Sequence, residues 1–559
     1  LASREAFNGF LEAWFNENPA TGNRGEEPTF VPFSYLFGPR SVTFKPAAVA
    51  TIDTAAISPR TIALVNDLVA SFLKRNLEPS EEAAATRLED LGLDSLDRME
   101  LALRIEQQFG FRSDAVAETL GQLWALADGK LSRGDADGRP MRVPSEWFAE
   151  PTRRPGPSGQ RWLLAPTVAE AFVRRANAQA TQACTADGVS GVLSARRLRI
   201  GAELMARRFA RYPEPHVGVM LPASVAADLT FFGLHLAGKV PVMLNWTTGP
   251  AALAHGIRVT ETRRILSSRK LVDRLGLEVE GAEFVFLEDL KGSIGTGEAL
   301  RAAAAARLAP GRLLDALPPQ REDDPAVFLF TSGSESAPKT VPLSHRNLLT
   351  NILDSLDVLA ADPHDSLLGF LPPFHSFGLT GNVLLPQLAG IRCVRHADPT
   401  DASGLVRVIT AYRPTLLFTT PTFLGYILAR CQGTELTSLR KIITGAEACP
   451  AATFARCREL APAAVILEGY GITECSPVVA ANRLAKIKPG SIGLPVRHVE
   501  ARLVHEETCA AVPQGSTGML LVRGPSVFGG YHGYDGPSPF VELEGERWYR
   551  TGDLVAADA

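Results

Sequence analysis

Ala326-Val327-Phe328-Leu329-Phe330 runs straight into Thr331-Ser332-Gly333-Ser334-Glu335-Ser336-Ala337-Pro338-Lys339. Five apolar residues followed by small hydroxyl residues and Gly read as a buried strand opening into a loop. Backbone N–H groups and hydroxyls on such a loop are suited to wrap phosphate oxygens. A lone Ser/Gly turn is more often only a turn, so its surroundings decide. Further strand-like runs lie at 217–221, 240–244, 416–419, 441–443 and 465–467, with helical segments between them. That alternation predicts α/β architecture with largely parallel sheets from about residue 161 onward.

Other motifs follow these strands in order. Gly445-Ala446-Glu447 comes after 441–443, and Glu468-Gly469-Tyr470-Gly471-Ile472-Thr473-Glu474 after 465–467. Tyr549-Arg550-Thr551-Gly552-Asp553-Leu554 lies near the end, and Pro373-Phe374-His375-Ser376-Phe377-Gly378-Leu379 lies between. As a lone residue His375 would more often be a core histidine.

The composition narrows the classes. With 559 residues, 45% hydrophobic and 21% charged, the chain is ordinary globular protein, not collagen, coiled coil or disorder. About three to four domains are expected. A net charge of −4 gives no overall basic field for nucleic acid. The most apolar region, 217–244, contains Asp228, His235 and Lys239, so it reads as core and not as a transmembrane segment. Seven cysteines without a C-x-x-C pair argue against a disulfide framework and for a reducing, cytoplasmic setting, peripheral to a membrane in one reading of the whole protein.

Residues 61–130 differ from the rest, with 13 acidic against 7 basic residues and a local net charge of −6. Apolar residues recur at helical spacing over 61–73 and 96–109, with Leu101, Ile105 and Phe109 four apart on one face. This predicts a small acidic helical bundle. Leu91-Gly92-Leu93-Asp94-Ser95-Leu96 precedes the second helix. Asp94 is placed to cap it, and Ser95 stands exposed beside the positive helix end, which suits a phosphate. Residues 131–160, rich in Gly, Pro, Arg and Ser, read as a linker, with Trp147 and Phe148 docking on a neighbour. Residues 1–55 carry no recognisable chemistry and read as the tail of an upstream domain.

The 56–130 segment resembles acyl carrier proteins, a four-helix fold. The resemblance implies 4′-phosphopantetheine on Ser95, placed there by a phosphopantetheinyl transferase. The motifs of 161–559 together resemble the adenylate-forming superfamily of acyl and aryl ligases. That implies a layered αβαβα body with a small β-barrel, using ATP and Mg²⁺. By this resemblance Thr331, Ser332, Gly333, Ser334 and Lys339 hold the β- and γ-phosphates. Tyr470 stacks on adenine, Gly445, Ala446 and Glu447 line its other wall, and Asp553 accepts from the ribose hydroxyls. Thr473 binds a phosphate oxygen, Glu474 is the magnesium ligand, and His375 sits near the reacting carboxylate. Met220-Leu221-Pro222, Asn245-Trp246-Thr247-Thr248-Gly249, Phe374 to Thr380 and Glu468 to Pro477 resemble acyl-[acyl-carrier-protein] synthetases of the lysophospholipid-acyltransferase fusion type. This implies a long-chain fatty acid as substrate and a downstream acyltransferase as partner.

Two departures matter. Ser336 and Thr340 stand where the superfamily's phosphate loop has Gly. A Ser reaches positive φ only at a cost, so a stiffer loop and weaker ATP binding are expected. The superfamily also has a small mobile C-terminal lid bearing a catalytic lysine. That lid reads as absent here, which implies slow acyl-adenylate formation. Besides acyl transfer to the fused carrier, three readings stay open: an acyl-CoA ligase, a non-catalytic acyl- or carrier-binding scaffold, and a megasynthase loading unit.

Overall fold

The computed structural model describes residues 57–558, except 74, 76, 89–90, 92–100, 102–104, 106–118, 129–140, 151–162, 164, 249, 276–278, 332–337, 363 and 514. The chain divides into two compact units, Leu1–Asp137 and Gly138–Ala559.

In the first unit the expected helix at 61–73 is present as Pro59–Leu73. A second helix, Leu120–Ala127, starts with a capping box: the Thr119 side chain accepts from Gln122 N, and the Gln122 side chain bonds back to Thr119 N. Leu101 and Ile105 are helical and fully buried, on the inward face the spacing assigned them. They pack with Val65, Val69, Leu88, Leu120 and Leu123. Ser95, Phe109 and the expected 1–55 segment lie outside the described residues, as do the remaining parts of the expected four-helix bundle.

The second unit contains three sheets among the described residues. The largest has nine strands in the spatial order Leu494–Pro495, Val478–Ala481, Val465–Gly471, Lys441–Thr444, Leu416–Thr419, Ser366–Gly369, Arg392–Arg395, Ala183–Asp187 and Gly191–Ser194. The six from Val465–Gly471 to Ala183–Asp187 run parallel. Parallel strands are covered on both faces, so they read as unbroken apolar runs; Leu416–Thr419 is buried at all four positions. The second sheet has six strands in the order Glu283–Phe286, Arg264–Ser267, His216–Val219, Val240–Met243, Pro325–Phe330 and Thr340–Ser344, all parallel but the last. Each of the six strand-like runs expected past residue 161 is found, with ends shifted by a few residues. Helices pack over these sheets around one extended core and a smaller separate cluster on the six-stranded sheet that includes Val242, Ile265 and Phe328.

The third sheet, Glu500–Val504, Thr517–Arg523, Glu546–Ala556 and Phe540–Leu543, is antiparallel. Its outer strands do not pair with each other among the described residues. The expected small barrel is therefore an open four-stranded sheet.

Two buried polar features tie the layers. Arg395, on a strand of the nine-stranded sheet, meets Asp228, on helix Val225–Leu236, at 2.7 Å, with both side chains almost wholly buried. Thr185 Oγ1 also donates to Asp228. Burial pushes the Asp228 carboxyl up, and the Arg395 guanidinium and the Thr185 hydroxyl pull it back toward the charged form. Trp147, expected in the linker, is 1% exposed; its indole N–H donates to Tyr412 O at 3.0 Å and the two rings meet edge-on. This part of the linker is thus fixed to the second unit, while Phe148 stays exposed. Among the described residues no helix is long and apolar enough to cross a membrane.

Candidate functional site

All the sequence motifs except Tyr549–Leu554 fall at or just past the carboxyl ends of parallel strands. This is where open α/β sheets place ligand crevices, because the strand ends and helix starts there leave backbone groups and loops free. Thr331 follows Pro325–Phe330. Its N–H donates to Lys339 O at 3.0 Å, and its hydroxyl accepts from Lys339 N at 3.2 Å. These two bonds close the neck of the Ser/Gly loop. Ser332, Gly333, Ser334 and Ser336, within that loop, lie outside the described residues. The Lys339 ammonium sits 4.9 Å and 5.1 Å from the ring centres of Tyr531 and Tyr534, a cation–π arrangement.

The second motif begins where Val465–Gly471 ends. A Cβ on Gly471 would lie 2.5 Å from Pro477 O, so only Gly allows the chain to fold back there. A 3₁₀ turn, Thr473–Cys475, follows. Buried Asn351 pins this turn: its amide donates to Cys475 O at 3.1 Å and Val478 O at 2.8 Å, and its carbonyl accepts from Val478 N at 3.2 Å. The Thr473 hydroxyl lies 3.3 Å from that of Ser376. Glu474, 7% exposed, accepts at Oε1 from the Tyr531 hydroxyl at 2.7 Å.

The third motif is a bulge. Met519 pairs with Leu554 and Leu521 with Arg550, so Thr551, Gly552 and Asp553 all stand opposite Leu520. The surplus residues push out of the ladder. Gly552 takes φ +80°, a left-handed conformation that costs other residues about 1–2 kcal/mol. The Thr551 hydroxyl locks the bulge, donating to Leu520 O at 2.8 Å and accepting from Asp553 N at 3.1 Å. Asp553 in turn accepts from the Tyr470 hydroxyl. Ala446, after strand Lys441–Thr444, also holds a left-handed φ of +70°.

These pieces surround one cavity of about 980 Å³. Its polar wall includes Thr331, His375, Ser376, Gly445, Ala446, Tyr470, Thr473, Glu474, Tyr549, Thr551 and Asp553. Its apolar wall includes Val358, Leu359, Leu385, Phe418, Phe423 and Ile443. The His375 ring is exposed to the cavity, so the core-histidine alternative does not hold. The walls around it disfavour its charged form and lower its pKa, which keeps it neutral at pH 7. Burial raises the phenols of Tyr470, Tyr531 and Tyr549, and the carboxylates of Asp553 and Glu474 add to this. All three remain hydroxyl donors at neutral pH.

Among the expected site residues, Thr331, His375, Gly445, Ala446, Tyr470, Thr473, Glu474 and Asp553 meet at this cavity. Lys339 closes the loop neck beside it. Glu447 does not line it: its exposed carboxylate accepts from the Thr422 hydroxyl at 2.6 Å, turned away by the start of helix Pro421–Arg430. The run Pro373–Leu379, which the resemblance implies lines an acyl pocket, brings Ser376, Phe377 and Gly378 to the cavity; sequence reasoning missed Tyr531 and the rest of the apolar wall. Tyr531 carried one usable signal, because it stands in Gly529-Gly530-Tyr531 much as Tyr470 stands between glycines.

Glu474 fits a hard divalent cation that takes its other ligands from phosphate and water. Its Oε2 makes no protein hydrogen bond among the described residues. No cluster of three or more His, Cys, Asp or Glu that would hold a metal is present among them.

Comparisons with known proteins agree with this geometry. The long-chain-fatty-acid–CoA ligase of Bacillus subtilis (strain 168) is 31% identical over 248 residues, 42% of this chain and 42% of that protein. The chain thus spans less than half of that relative's length. The enzyme of the same name from Salmonella typhimurium is 28% identical over 393 residues, 64% of this chain and 69% of that one. The crystal structure of a long-chain-fatty-acid–CoA ligase from Archaeoglobus fulgidus shares the fold at TM-score 0.58 and 20% identity, covering 70% of this chain and 82% of that one. A phosphopantetheine attachment site matches residues 63–117. The AMP-binding enzyme family matches residues 172–532, well over half of the chain, and the protein belongs to that family.

Proposed function

We propose that the second unit activates a fatty acid, the long-chain class being favoured, with ATP, and that the acyl group passes to a phosphopantetheine thiol on Ser95. The observation that carries this is the single cavity in which Tyr470, Thr473, Glu474 and Asp553 face an apolar wall built from Val358, Leu359, Leu385, Phe418 and Phe423. A polar nucleotide and an apolar acid then lie in one enclosure, with their reacting ends together.

In the first step the acid's carboxylate attacks the α-phosphorus of ATP, and pyrophosphate leaves. In the second the thiol attacks the acyl-adenylate carbonyl, and AMP leaves. Both reactants of the first step are anionic, so loop N–H groups, Lys339 and the Thr473 hydroxyl must take up phosphate charge. Mg²⁺ on Glu474 would neutralise further phosphate charge. Tyr470 and the Gly445-Ala446 backbone flank the adenine, and Asp553 receives the ribose hydroxyls. In this reading neutral His375, with Ser376 beside it, lies near the reacting carboxylate.

A phosphopantetheine site in the same chain supports the carrier as acceptor. The names of the curated relatives, long-chain-fatty-acid–CoA ligases, favour CoA instead. The test of activation is ATP-dependent hydroxamate formation from palmitate and hydroxylamine. Formation supports the reading, and none with any straight-chain acid contradicts it. Adding CoA or the phosphopantetheinylated chain then separates the two acceptors.

A further inference from the structure

We propose that Tyr531 is a positioning residue for the cation site: its hydroxyl fixes the Glu474 carboxylate in the orientation that takes a divalent ion. This rests on the nucleotide-site reading above and adds a residue that no motif supplied.

Tyr531 lies on the segment 525–534, which is stitched to both sides of the site. On one side, Phe528 N donates to Glu474 O at 2.8 Å, so the segment holds the backbone of Glu474 as well as its side chain. On the other, His532 N donates to Thr340 O at 2.9 Å, next to the phosphate-loop neck. The Asn347 amide anchors its start through Pro525 O at 2.9 Å and Val527 O at 3.0 Å. The Tyr531 ring is confined by Phe528, centroids 4.9 Å apart, and Tyr534, 5.4 Å, with the Lys339 ammonium over its face. Its hydroxyl thus reaches Glu474 Oε1 from a fixed direction, at a distance typical of a hydroxyl on a carboxylate.

One carboxylate oxygen is committed to the protein, and Oε2 is left for the ion. A carboxylate free to rotate would have to lose that freedom on binding; the Tyr531 bond removes it beforehand. Hydrogen-bond partners of metal ligands act in this way, and their loss weakens metal binding by about 10–100-fold. Lys339 over the same ring links the phosphate loop and the carboxylate through one side chain.

The test uses Mn²⁺ as a spectroscopically visible divalent ion, titrated into the full chain with a non-hydrolysable ATP analogue and followed by electron paramagnetic resonance. Tyr531→Phe keeps the ring and removes the hydroxyl. It should weaken Mn²⁺ binding about tenfold, while binding of the metal-free analogue stays unchanged. Tyr549→Phe, which removes the hydroxyl 3.3 Å away but leaves the Glu474 bond, should weaken it less. Unchanged Mn²⁺ affinity in Tyr531→Phe, or equal losses in both variants, would overturn this inference alone. No Mn²⁺ binding by the unsubstituted chain would overturn it together with the nucleotide-site reading.

Discussion

The Tyr470 hydroxyl donates to the Asp553 carboxylate, joining residues 83 positions apart. One ends a parallel strand of the nine-stranded sheet, and the other sits in the bulge of the antiparallel sheet. The bond fixes the ring and the carboxylate relative to each other before any nucleotide arrives. In the proposed site it also occupies an oxygen that a ribose hydroxyl would seek, so nucleotide binding there would exchange a protein donor for a ribose donor.

That exchange separates two substitutions. Asp553→Ala should raise the KM for ATP about 10–100-fold, the worth of hydrogen bonds to a charged group at about 1.5–3 kcal/mol. Tyr470→Phe keeps the ring and frees Asp553, so KM should change less than threefold. Steady-state hydroxamate kinetics measure both. A larger effect in Tyr470→Phe than in Asp553→Ala would contradict the assignment.

The apolar wall gives a prediction on chain length. Gly381 lines the cavity, and a Cβ there would already lie 2.9 Å from the Phe418 ring. Gly381→Leu would push into the space beside Phe418. It should shift preference toward shorter acids, with an overpacking cost of about 1–3 kcal/mol. Hydroxamate rates across a series of acids read the shift; an unchanged profile would place the acyl chain elsewhere.

The Asp228–Arg395 pair predicts stability. Arg395→Met leaves a carboxylate buried without its partner and should cost about 3–5 kcal/mol in urea unfolding. Asp228→Leu combined with Arg395→Met should recover most of the loss, because no uncompensated charge remains. Additive losses in the double variant would contradict this.

Buried His345 predicts a pH dependence. Its Nδ1 accepts from Val168 N, and burial lowers its pKa from 6.5 to about 4. Below pH 6.5 the unfolded chain takes up a proton that the folded chain refuses until about pH 4. Stability from this residue is therefore full above 6.5 and lost as pH falls toward 4. The slope is about 1.4 kcal/mol per pH unit for one proton. His345→Asn, which keeps an acceptor, should reduce the slope of stability against pH between 6.5 and 4.5 by about that amount. Urea midpoints at several pH values test it, and identical slopes would contradict it.

The sequence showed the α/β strands well, because a strand buried on both faces has to be apolar along its length. Runs such as Leu416–Thr419 leave little choice. It showed which motif residues meet, but not how. The bulge at Thr551-Gly552-Asp553 depends on the register against Leu520, which is set by a strand about thirty residues earlier. Glu447 was expected at the cavity and instead meets Thr422, because the neighbouring helix supplies a closer partner. Val358 and Leu359 line the cavity from the last turn of helix His345–Leu359, where apolar residues look like any core-facing residues. Tyr531 was missed because its role comes from a partner 57 positions away.

The most direct test of acyl transfer to Ser95 is the intact mass of the chain after coexpression with a phosphopantetheinyl transferase and incubation with ATP, Mg²⁺ and palmitate. The expected result is the added mass of one phosphopantetheine arm and one palmitoyl group, both lost in Ser95→Ala. An arm that stays unacylated with every straight-chain acid, in a preparation that makes acyl-CoA from the same acids, would contradict transfer to the carrier and make CoA the acceptor.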